Sequence, residues 1–334
     1  MSKLFAAVCA AFLLASCAPQ APSGPASVAV FIPGTLQGSP TYELLDTGVR
    51  KAVAEVPGTT VKTIEGGFNQ AQWGEQISTL ASSGEYKYIV TSNPAMPEIA
   101  AKAAQAFPNQ KFIILESWSK NPSYATLAYN HREMAYLHGV LGGLIAADRK
   151  APATLGLIVG QEYPDMNNAI LPGFTEGLKS VSPDGKVEFR VVGNWYDAAK
   201  GAELAKGLFD QGVGVVLPIS GGANQGVITA AKAAKKAVLW YDVDGYAIEP
   251  GVIVGSGHIY QDKAAYELVK KALAGTLEYG KPEVVGVKEG YVDYGVDSAA
   301  YKSLVPEAVR QKFEAVLADF RSGKTHLDMP LPKN

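Results

Sequence analysis

Val28-Ala29-Val30-Phe31-Ile32-Pro33-Gly34-Thr35-Leu36-Gln37-Gly38-Ser39-Pro40-Thr41-Tyr42 decides how this chain folds. Its first five residues are apolar without alternation, which predicts a strand covered on both faces, as in a parallel sheet. A glycine-containing polar loop follows, and Ser39-Pro40 then leads into a helical pattern at Leu44–Val56. A strand that feeds a helix through such a loop is the first half of a βαβ unit.

The same grammar continues. Apolar runs at Val61–Ile64, Tyr86–Val90, Lys111–Leu115 and Thr126–Asn130 alternate with helical patterns at Trp73–Ser82 and Glu98–Phe107. A long apolar helix at Glu133–Ala147 separates this half from a second one. There the runs are Leu155–Val159, Val187–Val192, Val213–Ile219, Val238–Tyr241 and Val252–Ser256. Helices near Met166–Val181, Ala198–Asp210, Asn224–Ala234 and Asp262–Ala274 accompany them. A strand-like Glu283–Val292 and an amphipathic helix at Pro306–Phe320 end the pattern. The fold class is therefore α/β, with two doubly wound lobes of similar size.

Open sheets of this kind bind ligands beyond the carboxyl ends of their strands, so candidate residues are sought there. The first loop offers Gln37, Ser39 and Tyr42, although Ser39 also suits a helix cap. Asn93 follows the third run, and Glu116-Ser117-Trp118 follows the fourth. Trp118 fits a flat ligand or plain packing on the sheet edge. In the second half Tyr163 follows the first run and Asn194-Trp195-Tyr196-Asp197 the second. Tyr42, Trp118 and Trp195 together suggest a stacking box for a heterocycle. Gly221 and Gly222, ahead of Asn224, open backbone donors at a helix start. Asp242 and Asp244 stand on one side of an extended segment, where a carboxylate can accept two hydroxyls of a diol; one of the pair could instead cap the next turn.

At the other end of the chain, Lys3 precedes an apolar run from Leu4 to Leu14 that closes on Leu14-Ala15-Ser16-Cys17. Charge, apolar stretch and small residues in that order make a secretory signal, and the last four residues resemble a bacterial lipobox. The run is shorter than the ~20 residues that span a bilayer. Cys17 is the expected lipidation site and the mature N-terminus, with Ala18–Ala26 as a flexible tether. Cleavage removes Cys9, one of only two cysteines, so no disulfide is expected.

Loss of Lys3 with the signal leaves 29 basic against 32 acidic residues. That balance argues against a nucleic-acid partner. No metal site is expected: His131 and His138, two of four histidines, lie two turns apart without cysteine or paired carboxylates. Neither a Gly-x-Ser-x-Gly elbow nor a complete dinucleotide fingerprint occurs, so no cofactor and no enzyme activity are expected.

Gly193-Asn194-Trp195-Tyr196-Asp197-Ala198-Ala199-Lys200-Gly201, Ser220-Gly221-Gly222-Ala223-Asn224-Gln225-Gly226 and Tyr241-Asp242-Val243-Asp244 together resemble the basic membrane lipoprotein family of ABC-importer solute-binding proteins. The family usually has Gly-Ser-Phe-x-Asp, Gly-Gly-x-Gly-x-Gly and Val-Asp-x-Asp at these places. The resemblance runs from about Val28 to Phe320. It implies a type I periplasmic-binding-protein fold, two lobes joined by a hinge with a ligand cleft between them. It also implies a base held between aromatics, with Trp195 as the second-lobe aromatic, Asp242 on ribose hydroxyls, and Gly221 and Gly222 as backbone donors. The first loop departs from the family's Asp-Asp-x-Ser-Phe-Asn, and Ser256-Gly257-His258-Ile259-Tyr260 stands where a lysine is common.

A small-molecule ligand, purine nucleoside or riboflavin, and an ABC permease are the partners this resemblance implies, with the membrane reached through lipid. A ligand-sensing module for a signalling partner would share these lobes, and a nucleoside-processing enzyme is a third reading. The expected boundaries are a signal at 1–16, a tether at 17–26, a first lobe of 27–130 plus about 255–280, and a second of 131–254 plus about 281–325.

Overall fold

The computed structural model describes residues 26–331. The signal, its cleavage site and Cys17 lie outside the described residues. Among the described residues no helix is long and apolar enough to cross a membrane.

Two six-stranded sheets carry the fold. The first holds β1 (Ser27–Ile32), β2 (Thr60–Glu65), β3 (Tyr88–Ser92), β4 (Lys111–Leu115) and β5 (Tyr124–Tyr129). The second holds β6 (Thr154–Val159), β7 (Lys186–Val191), β8 (Val215–Ile219), β9 (Ala237–Trp240) and β10 (Ile253–Ile259). Two short strands, β11 (Glu283–Val285) and β12 (Val292–Tyr294), each close one sheet. The orders are β11-β5-β4-β3-β1-β2 and β12-β10-β9-β8-β6-β7. All pairings are parallel except β10 with β12. The second sheet thus repeats the first, each of β6 to β10 standing where β1 to β5 stand.

Helices on both faces explain the unbroken apolar runs. Val28 to Ile32 and Leu155, Leu157, Ile158 and Val159 have no exposed surface. Loop backbones repeat as well. Gly66 and Gly67 donate to Ile32 and Gly34 oxygens at 2.7 and 2.9 Å; Val192 and Gly193 donate to those of Val159 and Gly160 at 2.8 and 2.9 Å.

The chain passes between the sheets three times. After β5 it enters the helix His131–Asp148. After β10 it enters the helix Gln261–Leu273, whose Tyr266 and Lys270 reach Glu55 beyond the first lobe's helix Pro40–Ala54. After β11 it returns to β12. Asn130 N–H to Val285 O at 2.8 Å and Tyr260 N–H to Tyr291 O at 3.0 Å tie the crossings together.

Several expectations change here. Glu283–Val292 is not one strand, because β11 and β12 belong to different sheets. Consequently 283–285 joins the first lobe's sheet, not the second's. Residues 255–259 complete β10 in the second sheet, so the crossing falls at Tyr260 and not near 255. The helix read from Met166 opens as a π-helical turn, Met166–Ile170. Pro172 follows it and lacks the N–H that would bond one turn back.

His138, on the first crossing helix, is fully buried, with Nδ1 2.9 Å from Tyr294 Oη. Burial first, then the neighbouring His258, lowers its pKa to about 3. The folded ring stays neutral while an unfolded one takes a proton below about pH 6.5. Its stabilising share is therefore whole above 6.5 and falls away as pH drops towards 3. Between pH 7 and 5 the wild type should lose ~2 kcal/mol more unfolding free energy than His138→Gln does, read by urea titration at each pH. Equal losses in the two proteins would refute the assignment.

Candidate functional site

The site begins with the first loop. Gly34 leaves room for the Tyr42 ring, whose edge lies against it. Burial raises the Tyr42 hydroxyl's pKa far above the phenol range; the Asn93 amide opposes this and Glu116 adds to it. Tyr42 is thus a neutral phenol set low in the loop. Ser39 starts the helix through its carbonyl, which accepts from Tyr42 and Glu43 N–H at 2.9 and 3.0 Å, and its hydroxyl makes no cap bond. Gln37 is exposed. Asn93 uses Oδ1 to accept the Ala95 N–H at 2.9 Å. Trp118 is half-buried with the Lys120 ammonium 5.1 Å from its ring centroid, a cation–π pair.

The second lobe builds a more open wall. Trp195 lies with one face on Gly160, where a Cβ would stand 2.5 Å from Trp195 Cε3. The indole remains 40 % exposed, and Tyr163 leans toward it with centroids 6.1 Å apart at 46°. Gly221 fixes the loop beneath. It has φ of +58°, and a Cβ there would stand 2.7 Å from Trp195 O.

Three expected contacts are redirected to the protein itself. Gly222 N–H, expected free, donates to Trp195 O at 2.8 Å. Asn224 Oδ1 accepts from Ser220 N–H and Oγ at 2.8 and 2.6 Å, which locks the turn. Asp244 is exposed and accepts the Tyr246 N–H at 3.1 Å, the turn-capping role left open above. Gly221, Gly222 and Asn224 therefore support Trp195, while Asp242 and Asp244 part company.

Between the walls stand two carboxylates at equivalent places. Glu116 directly follows β4; Asp242 comes two residues after β9. Both are non-glycine residues with positive φ, +54° and +76°, a conformation that costs energy and gathers at functional sites. Burial chiefly, then the Asp242 charge and that of Asp165, raises the Glu116 pKa to about 8, with Ser92 opposing. Burial raises Asp242 to about 6. Glu116 feels the charges of Asp242 and Asp165 from the other lobe, so the carboxyl ends of the two sheets face one another.

Beneath Glu116, Ser92 Oγ donates to Oε2 at 3.3 Å and accepts from Gln261 Nε2 at 2.8 Å. Gln261 opens the second crossing, so this chain links hinge to site. Tyr129 Oη, Thr91 Oγ1 and Gln261 Oε1 are buried without a partner among the described residues. At the first crossing, His131 Nδ1 lies 3.1 Å from Tyr241 Oη, with the rings stacked at 6.1 Å. Glu116 was expected only as part of the loop after the fourth run, with no role of its own, and Ser92, Gln261, His131 and Tyr241 were not among the expected ligand contacts. The available signal was position alone: Glu116 is the first polar residue after the fourth apolar run.

Chemically, the arrangement offers an aromatic face, neutral phenols and paired acceptors with no lysine or arginine among the charges acting on either carboxylate. That suits a flat, uncharged, hydroxyl-bearing molecule. Among the described residues no histidine, cysteine and carboxylate group could hold a metal.

Comparison with known proteins agrees in kind. Residues 26–324 match the Bmp family profile, described as ABC transporter substrate-binding protein PnrA-like. An ABC transporter nucleoside-binding protein, BmpA, from Lactococcus lactis is 31 % identical over 172 residues, 50 % of this chain and 47 % of that one. A purine-binding protein of Brucella abortus is 32 % identical over 171 residues, again 50 % and 47 %. The chain thus spans about half the length of these curated relatives. A crystallised ABC transporter solute-binding protein from Aeropyrum pernix superposes with a TM-score of 0.77 at 22 % identity, over 92 % of this chain and 94 % of that one. The shared fold is the type I periplasmic-binding-protein fold.

Proposed function

Since the chain belongs to the Bmp family of PnrA-like ABC transporter substrate-binding proteins, we propose that it is a lipid-anchored receptor for a nucleoside-like heterocycle, delivering it to an ABC permease. The cargo is a ring carrying ribose or a polyol, with a purine nucleoside as the first reading. The observation that carries this is the pairing of a half-open indole, Trp195, with carboxylates at equivalent strand ends of both lobes. The ring stacks on Trp195, and the hydroxyls donate to Asp242. A ligand favours lobe closure only through contacts made by both lobes, and Glu116 with Tyr42 supply the first lobe's share. Riboflavin is the second reading, favoured by the uncharged Gln37–Tyr42 stretch, which lacks base-reading acids.

Lipid attached at Cys17, with the Pro-rich tether behind it, holds the receptor near its permease. The lipobox-like Leu14-Ala15-Ser16-Cys17 supports this step.

One preparation tests both parts. The full chain is extracted from the membranes of its own bacterium and weighed intact, first native and then denatured. The native mass is expected to exceed the denatured mass by one purine nucleoside, or by riboflavin with visible flavin absorbance. The denatured mass is expected to begin at an acylated Cys17. A chain that carries neither molecule, and binds neither when they are supplied, overturns the cargo. A chain that keeps residues 1–16, or starts elsewhere without acyl groups, overturns the anchor.

A further inference from the structure

We propose that Phe68 is the first lobe's aromatic cap on the ligand, closing over its ring from the side opposite Trp195. This rests on the cargo reading above and assigns a residue that the loop motifs do not.

The observation is one of placement. Three aromatic side chains stand out as exposed among the described residues: Phe68 at 79 %, Trp195 at 40 % and Tyr196 at 75 %. All three lie in two loops, and those loops are equivalents. One follows β2, the other β7, and each parent strand is the outer neighbour of its sheet's first strand. Each loop is zipped to the neighbouring strand-end loop by the matching pair of backbone hydrogen bonds described above. Each then runs into a helix whose Asn69 or Asp197 caps the first turn, accepting from Ala71 N–H at 3.3 Å and Lys200 N–H at 2.9 Å. Scattered exposed apolar residues are ordinary; confinement of all three aromatic ones to one repeated loop is not scatter.

The Phe68 loop is also firmly held. Trp73, buried beneath it, donates Nε1–H to Gly67 O at 2.9 Å, and Gly67 turns at φ of +67°. Asn69 begins the following helix. The backbone is pinned on both sides of Phe68, and its ring is left in water. The neighbouring first loop has no rival: Gln37 is polar, and its only aromatic, Tyr42, lies low over Gly34 beside Asn93 and Glu116. Tyr42 therefore forms floor, Trp118 is half-buried with the Lys120 ammonium over its ring, and Phe68 is the first lobe's exposed aromatic. A ring entering the cleft would find indole on one lobe and phenyl on the other, and closure would remove both from water.

The test uses the full chain, with adenosine and riboflavin as probes in separate calorimetric titrations. Phe68→Ala is expected to weaken the bound probe about ten-fold or more, in the range of stacked bases elsewhere. Phe68→Trp should stay within about three-fold of wild type, since it restores a stacking face. Both variants should melt with the wild type, because the replaced ring is exposed. Trp195→Ala is titrated in parallel. If Trp195→Ala weakens binding while Phe68→Ala does not, the cap is wrong and the cargo reading stands. Loss of uptake in cells with unchanged Phe68→Ala affinity would likewise overturn the cap and place Phe68 on a surface that meets the permease. If neither probe binds wild type, cargo and cap fall together.

Discussion

Trp195→Ala will bind its ligand ~5- to 150-fold more weakly than wild type, about 1–3 kcal/mol, with little change in melting temperature. The two halves of that expectation come from the two faces of one ring. The inner face rests on Gly160 and would be missed modestly, since the indole is already 40 % exposed. The other face is where the exposed part of the ring lies, with Tyr163 tilted toward the indole at 46°. A stacking ligand would cover that face, and removal of the indole leaves only the Gly160 backbone behind it. Trp195→Phe should recover most of the affinity, because a smaller π-face still stacks. Calorimetry with a purine nucleoside and with riboflavin reads the effect. Unchanged affinity, or a fall in melting temperature as large as that of a core aromatic, would show that Trp195 serves packing alone.

The glycines around Trp195 explain why its loop was readable and their own roles were not. Gly221-Gly222 invites the reading of free backbone donors at a helix start, because isolated sequence cannot say what lies above it. In the fold, Gly222 N–H is taken by Trp195 O, and Gly221 is glycine because a Cβ would meet the same oxygen. The motif is needed, but one step removed from the ligand. Asp242 and Asp244 show the same limit: alternation puts them on one side, and only the turn at Tyr246 separates a capping carboxylate from a cleft one. The sheets were legible because βαβ units write themselves as unbroken apolar runs, and Val28–Ile32 is buried along its whole length. Glu283–Val292 misled because two three-residue edge strands look like one longer strand until each finds its sheet. Glu116 escaped because its meaning lies in partners far along the chain, Ser92 below it and Asp242 in the other lobe.

Asp242→Asn should move affinity and stability in opposite directions. Asparagine matches aspartate in size and is among the few residues at ease with the φ of +76° found here, so the backbone is kept and the charge alone is lost. A charged hydrogen bond contributes about 1.5–3 kcal/mol, and binding of a ribose-bearing ligand should weaken ~10- to 150-fold. Stability goes the other way. Burial raises the folded pKa to about 6, above the 3.8 of a free carboxyl. The wild-type protein thus carries a penalty that is absent below 3.8, grows as pH rises toward 6, and is complete above it. The variant should melt higher than wild type at pH 8, and the gap should close as pH falls through 6 toward 4. Glu116, at about 8, holds its proton at neutral pH, so the facing pair carries one charge between them and that charge sits on Asp242. Acidification through pH 6 therefore removes the last anionic acceptor, and wild-type affinity should fall there while that of Asp242→Asn stays flat. Calorimetric titrations from pH 8 to 5, set beside melting curves at the same pH values, separate the outcomes. A variant that binds as tightly as wild type would remove Asp242 from the site, whereas one that binds weakly and also melts lower would make it a structural residue.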